Sequence, residues 1–342
     1  MNSKLISIIK YIIVLAISFG LLALAFKGIA VKAILEGMLQ INIPWLIVAI
    51  LVGILGFISR AYRWRLLIES LGYTPSLKNT TYSLMVGYFA NLALPRLGEV
   101  TRCGSLSKAE SIPFTSLLGT VIIERVVDVL TLLLCLLLAA IVEFDRVGNF
   151  LRDTIFHPLA AKFQMLFSST FIIIGGLIFL VILVMLIIYF IRRLNSKKEE
   201  SKVMRLVRGL VNGLQSIAKL KRPWIFIFHS LFVWFLSFLG MYVSFFLLPS
   251  TSGLGWSAAL VLLVVSGFGM AAPVQGGIGA FHLLVSQGLI LYGLSQQDGL
   301  TFATLVHGLS LLLVVGCGIA SLLLLFSAKN KKLAQQEVID NT

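Results

Sequence analysis

The sequence predicts an all-α polytopic integral membrane protein, with about six clear spans plus two Pro/Gly-broken hairpins, up to eight or more helices. Three observations carry that fold class. The 342 residues are 58% hydrophobic with a mean hydropathy of +1.00. Apolar runs such as FIIIGGLIFLVILVMLIIYFI (171–191) reach the ~20 residues that a helix needs to cross a bilayer. The short alternating segments of a transmembrane β-barrel are not seen. An inverted-repeat pseudo-symmetry is the third element of the reading.

Taken in order, the spans fall at 8–26, 43–59, 115–142, 168–191, 223–248 and 300–326. The first could be read as a secretory signal, with Lys4 and Lys10 before an apolar core and Ala23-Leu24-Ala25 as a cleavage-like site. Its length favours a retained helix. The regions 80–110 and 257–293 are apolar but interrupted by Pro and Gly. Each reads as a hairpin that enters and leaves on one side, either re-entrant or as two short full spans. The whole chain, 1–342, reads as a single membrane domain. It comprises a first repeat-like half (43–142), a basic linker (192–222), a second repeat-like half (223–326) and a tail (328–342).

Charge sets the orientation. The formal net charge is +14, which would suit a nucleic-acid partner, but membrane proteins collect Lys and Arg in their cytoplasmic loops. With the N terminus inside, the cytoplasmic pieces hold 22 Lys+Arg and 7 Asp+Glu, against 5 and 5 outside. The expectation is a multi-pass protein of the inner (plasma) membrane with both termini cytoplasmic, and no nucleic-acid partner. Within the linker, Val203, Leu206, Val207, Leu210, Leu214 and Ile217 recur at helical spacing beside ten basic residues. An amphipathic helix on the anionic inner leaflet accounts for them. Cys103, Cys135 and Cys317 are scattered, so neither a disulfide scaffold nor a metal site is expected, and no cofactor motif is found.

The two halves follow the same order with opposite orientation: a span, a broken hairpin, a span. GYFANLALPRLG (87–98) stands where SGFGMAAPVQGG (266–277) stands in the second half. Inverted repeats with broken helices place a transporter's substrate where the breaks converge. Gly and Pro that merely close helix contacts would look similar.

The charged residues sharpen this. In LPRLGEVTR, Pro95 and Gly98 can unwind a helix end, and Arg96 and Arg102 flank Glu99. Two guanidiniums and free amides suit a phosphate or carboxylate. A solvated loop obeying the positive-inside rule accounts for 96–102 equally well. ERVVD tips the balance, because Glu124 and Asp128 share one helix face inside a span with Arg125 in reach of Asp128. Such groups cost roughly 2.5–3.5 kcal/mol each at bilayer depth unless paired or facing water. A structural salt-bridge knot with Arg96 or Arg102 could itself wall a headgroup cavity. In APVQGGIGAFH, Pro273, Gly276, Gly277 and Gly279 would let a hairpin tip approach closely, with Gln275 and His282 as its polar side chains. Arg60, Arg63 and Arg65 in SRAYRWRLL suit inner-leaflet phosphates, with Tyr62 and Trp64 as interface anchors.

LPRLGEVTR, IERVVDVLTLL and PVQGGIGAFH, in this order, resemble the lysylphosphatidylglycerol synthase transmembrane-region family, also called flippase-like, over about residues 8–326. The resemblance implies a protein that moves lipids or lipid-linked groups between leaflets. Arg96, Gly98, Glu99 and Arg102 match its first motif, Glu124, Arg125 and Asp128 the second, and Pro273, Gly276, Gly277 and Gly279 the third. His282 stands where many relatives carry an acidic residue. No soluble aminoacyl-transferase domain follows the last span, so synthesis of lysyl-lipid is not expected. The resulting expectation is a non-enzymatic lipid translocase whose headgroup site is formed by Arg96, Glu99, Arg102, Glu124, Arg125, Asp128, Gln275 and His282. Its partners would be anionic or lipid-linked membrane lipids, and envelope biosynthesis enzymes are open as further partners. An integral-membrane transferase acting on a lipid carrier, or an accessory subunit of envelope enzymes, are the alternatives.

Overall fold

The computed structural model describes residues 16, 18–29, 31–94, 97–144, 220–272 and 274–340. Pro95, Arg96, Pro273, the expected span 168–191 and the linker helix over 203–217 lie outside the described residues. Among those described, the structure is helical, with no strand. A helical stretch at 18–25 precedes α1 (Val31–Met38), α2 (Ile43–Glu69), α3 (Leu77–Ala93), α4 (Leu97–Glu110) and α5 (Phe114–Val142). After the undescribed segment come α6 (Pro223–Phe245), α7 (Trp256–Ala271), a 3₁₀ turn (Gln275–Gly277), α8 (Ala280–Ile290) and α9 (Gln296–Asp340).

Helices α2, α5, α6 and the Gln296–Ser327 part of α9 are long and apolar enough to cross a membrane. Leu51, Leu55, Val129, Leu130, Leu133, Leu312 and Leu323 are exposed along them, as expected of surfaces that meet lipid. Asn42 caps α2 by accepting from the Trp45 amide, and Pro44 occupies the first turn, where its missing N–H costs nothing. The helix does not stop at 59. It runs ten residues further because its last turns are gripped by α4 and α5. Trp64 is therefore fully buried, packed with Cys103, Leu106, Leu117 and Val121, and is not the interface anchor expected from the sequence.

The two broken regions form hairpins, α3–α4 and α7–α8. Their arms of 17, 14, 16 and 11 residues fall short of the ~20 needed to cross the hydrocarbon core. Glycine contacts close both. A Cβ on Gly87 would lie 2.8 Å from the Gly98 carbonyl oxygen, and one on Gly269 would lie 2.9 Å from Phe281 Cα. Small residues at such points let helix backbones approach, the usual basis of packing in a membrane. At the open end of the first hairpin, one Glu110 oxygen accepts from the Ser76 amide, the Ser76 hydroxyl and the Asn79 side chain. The second hairpin rests on a core that includes Phe245, Leu262, Val285, Leu289 and Phe302.

Candidate functional site

Three elements bring seven charges together. Arg60 and Arg63 come from α2, Glu99 and Arg102 from α4, and Glu124, Arg125 and Asp128 from α5. Glu124 is the hub: its carboxylate lies 3.3 Å from Arg63 Nη2, 3.2 Å from Arg102 Nη1 and 3.8 Å from Arg125 Nη2. Arg63 also donates to Asp128 at 2.8 Å. Asp128 faces Arg125 at 3.6 Å and Arg60 at 3.9 Å, and Glu99 faces Arg125 at 3.8 Å. Arg63 and Glu124 have fully buried side chains, and Arg102 is 2% exposed. Buried charges persist at this depth only when paired.

The surroundings hold the network in place. The Arg102 guanidinium lies over the Trp64 ring at 4.7 Å, and the Trp64 indole donates to Thr120 at 2.9 Å. That stack combines charge and packing, as guanidinium on an aromatic face does. Gly98 does not sit at positive φ. Its role is proximity, since a Cβ there would run into the Gly87 carbonyl and the Asn91 amide. Its N–H is not left free for a ligand, because it donates to Asn91 at 2.6 Å.

The second break meets the first. The Gln275 amide donates to the Leu92 and Ala93 carbonyls, which the end of α3 leaves without helical partners. Gly276, Gly277 and Gly279 have φ of 57°, 77° and 85°, the left-handed region that glycine tolerates. At Gly279 any side chain would also strike Ser18 and Leu21 in the 18–25 stretch. His282, on α8, stacks on His307 of α9 with ring centroids 4.9 Å apart.

Between the two breaks lies a cavity of about 640 Å³. Arg60, Glu99 and Arg125 line it towards the charge network, Gly276 and Gly277 towards the second hairpin, and Trp234, Ser237 and His307 along the side. Two buried polar atoms around it, Glu99 Oε2 and the Trp234 indole N–H, lack hydrogen-bond partners among the described residues, and the His307 ring faces the Gly276 backbone. Of the residues expected from sequence, Glu99 and Arg125 reach the cavity lining. Arg102, Glu124 and Asp128 stand behind it, and Gln275 and His282 buttress the hairpin tip. Arg60, Arg63, Trp234 and His307 were not in that set. The i, i+3 arginines of SRAYRWRLL were the available signal for the first two; nothing in the local sequence points to Trp234 or His307.

This geometry defines a class: a multi-pass helical membrane protein with a buried charge network beneath a cavity where two broken hairpins meet. The model for the family described as "Lysylphosphatidylglycerol synthase TM region" matches residues 11–318, and the chain belongs to that family. It is also similar to the UPF0104 membrane protein MJ1595 of Methanocaldococcus jannaschii, with 33% identity over 126 residues, or 36% of this chain. The match spans 38% of that protein's length. No solved structure gives a significant match.

Proposed function

We propose that the protein is a translocase for lipids with an anionic, phosphate-bearing headgroup, rather than an enzyme. The observation that carries this is the cavity at the meeting of the two breaks, with the side chains of Arg60 and Arg125, 23% and 44% exposed, in its wall. Four guanidiniums against three carboxylates leave one positive charge unbalanced among the described residues of the network. An anion compensates it. The unpartnered polar atoms around the cavity support the same reading, because buried polar groups in native proteins are normally satisfied by protein, water or ligand. Membership of the lysylphosphatidylglycerol synthase TM-region family supports a lipid-related role.

In this reading the headgroup sits against Arg60 and Arg125, while Glu124 and Asp128, themselves fixed by Arg63 and Arg102, hold those side chains in position. The breaks gate the two faces in alternation. The protein lies in the plasma membrane with both termini inside, as the loop charges predict. The test is co-purification from mild detergent, with bound lipids identified by mass spectrometry, for wild type and for Arg60→Ala/Arg125→Ala. Enrichment of phosphate-bearing lipid in wild type and its loss in the folded variant is the expected result. Equal, bulk-like lipid profiles would overturn the assignment. Purified wild-type protein in vesicles should then move the enriched lipid between leaflets, and the variant should not.

A further inference from the structure

A second cavity of about 280 Å³ opens off the first. Val52, Gly53 and Gly56 of α2, Leu236 of α6, and Leu309 and Leu313 of α9 form its apolar walls. It shares Phe57, Arg60, Ser237, Met241, Met270, His307 and Ser310 with the larger cavity, so the apolar groove and the charged chamber join along a seam that includes Arg60. All three walls belong to helices long and apolar enough to cross the membrane, which puts the groove at hydrocarbon depth. Glycine creates the space. A Cβ at Gly56 would meet nothing within 4 Å, and one at Gly53 would crowd the Leu313 methyl at 3.3 Å.

We infer that this groove seats one acyl chain of the glycerophospholipid whose phosphate faces Arg60, so that part of the lipid travels inside the protein. The inference rests on the proposed function for the headgroup and adds the location of the chain. Continuity at Arg60 selects the occupant. A polar headgroup on the guanidinium leaves its glycerol at the junction, and the adjoining apolar space is where hydrocarbon can follow without exposing backbone or charge. The chain comes from lipid, which is as apolar as the groove. Occupancy is therefore governed by shape, not by escape from water.

Two neighbouring faces of α2 make the test sharp. Val52, Gly53 and Gly56 line the groove, whereas Leu51, Leu55 and Ile58 are exposed outward. Purified full-length protein is given phosphatidic acid, or diacylglycerol, each carrying the same mid-chain diazirine. Adducts are mapped by mass spectrometry after irradiation. Phosphatidic acid should label Val52, Gly53, Gly56, Phe57, Leu309 and Leu313. Gly56→Leu, which fills open space and suits a helix better than glycine, should cut that labelling by about fivefold or more, the penalty of forcing a chain into an overpacked site. Labelling of Leu51, Leu55 and Ile58 should persist. Leu313→Trp fills the groove from the opposite wall and should act alike. Adducts confined to the outward face, or groove adducts indifferent to both variants, overturn the inference. Phosphatidic acid retained through Arg60 and Arg125 with an unlabelled groove leaves the headgroup reading standing and removes this one. Equal groove labelling by diacylglycerol removes the headgroup reading, and with it the phosphate-anchored lipid inferred here, leaving only an acyl-binding groove.

Discussion

Glutamate 124 holds two buried arginines apart from one another's charge, and Glu124→Gln measures how much the fold depends on it. The substitution keeps the volume and one acceptor oxygen but removes the negative charge facing Arg63 at 3.3 Å and Arg102 at 3.2 Å. Breaking a buried pair by deleting one partner costs about 3–5 kcal/mol, because the other charge stays buried and uncompensated. Arg63 keeps Asp128 at 2.8 Å, so the lower end, ~3 kcal/mol, is expected. At ~2 °C per kcal/mol for a chain of this size, the apparent unfolding midpoint in detergent should fall by about 6 °C. The compensating variant decides the cause. Glu124→Gln/Arg102→Met removes both members of one pair and places a thioether on Trp64, a favourable sulfur–aromatic contact. It should recover ~1–3 kcal/mol relative to the sum of the single changes. Arg125→Ala, by contrast, loses contacts of 3.6–3.8 Å at a side chain that is 44% exposed, and should cost under ~1 kcal/mol. A midpoint for Glu124→Gln within the error of wild type, or a double variant no better than additive, would refute the claim that charge pairing holds these elements together.

Trp64→Phe should destabilise by ~1–2 kcal/mol, because it leaves Thr120 without the indole donor and weakens the stack beneath Arg102. The same unfolding assay reads it, and Trp45→Phe at a partly exposed position of α2 is the control that should change little. Gly98→Ala should cost ~3 kcal/mol or more, since the new methyl meets the Gly87 carbonyl and Asn91. A folded Gly98→Ala protein with an unchanged midpoint would show that the α3–α4 contact is loose.

Much of this architecture could be read in the sequence because long apolar runs have few structural alternatives, and because Pro and Gly mark helix ends whatever surrounds them. ERVVD was legible for a similar reason: i, i+4 spacing forces Glu124 and Asp128 onto one face, and carboxylates inside a span need cations. Two of those cations, Arg102 and Arg125, could be read from the motifs and their spacing, whereas Arg60 and Arg63 could not. Arg60, Arg63 and Arg65 follow a hydrophobic stretch just as snorkelling residues at an inert helix end do, and only the packing of α4 and α5 against the last turns of α2 buries Arg63 and Trp64. Gly98 illustrates a second limit. A glycine three residues after a proline suggests backbone freedom, but a glycine kept for close approach looks identical in one dimension. His307 carries no local signal, because its neighbour His282 belongs to a different helix.

The joints between these elements are unequal, and that inequality bears on which part can move. α2, α4 and α5 are fastened by buried charge-assisted contacts among Arg63, Arg102, Glu124 and Asp128, so the first hairpin is tied to the two long helices that flank it. The second hairpin touches the first through the neutral Gln275 amide on two carbonyls, and neutral hydrogen bonds are about half as strong as charge-assisted ones. Its turn passes through three glycines at positive φ, where the backbone is least committed to one shape. The weaker joint is therefore at Gln275, and opening there leaves the charge network intact. Amide hydrogen exchange should be faster across 274–282 than across the buried turns of α4 at 101–106. Gln275→Ala should speed exchange at 274–282 and at the frayed end of α3 while leaving 101–106 unchanged. Equal protection of both hairpin tips in wild type, or loosening of α4 by Gln275→Ala, would mean that the two hairpins behave as one rigid unit and that gating uses another seam.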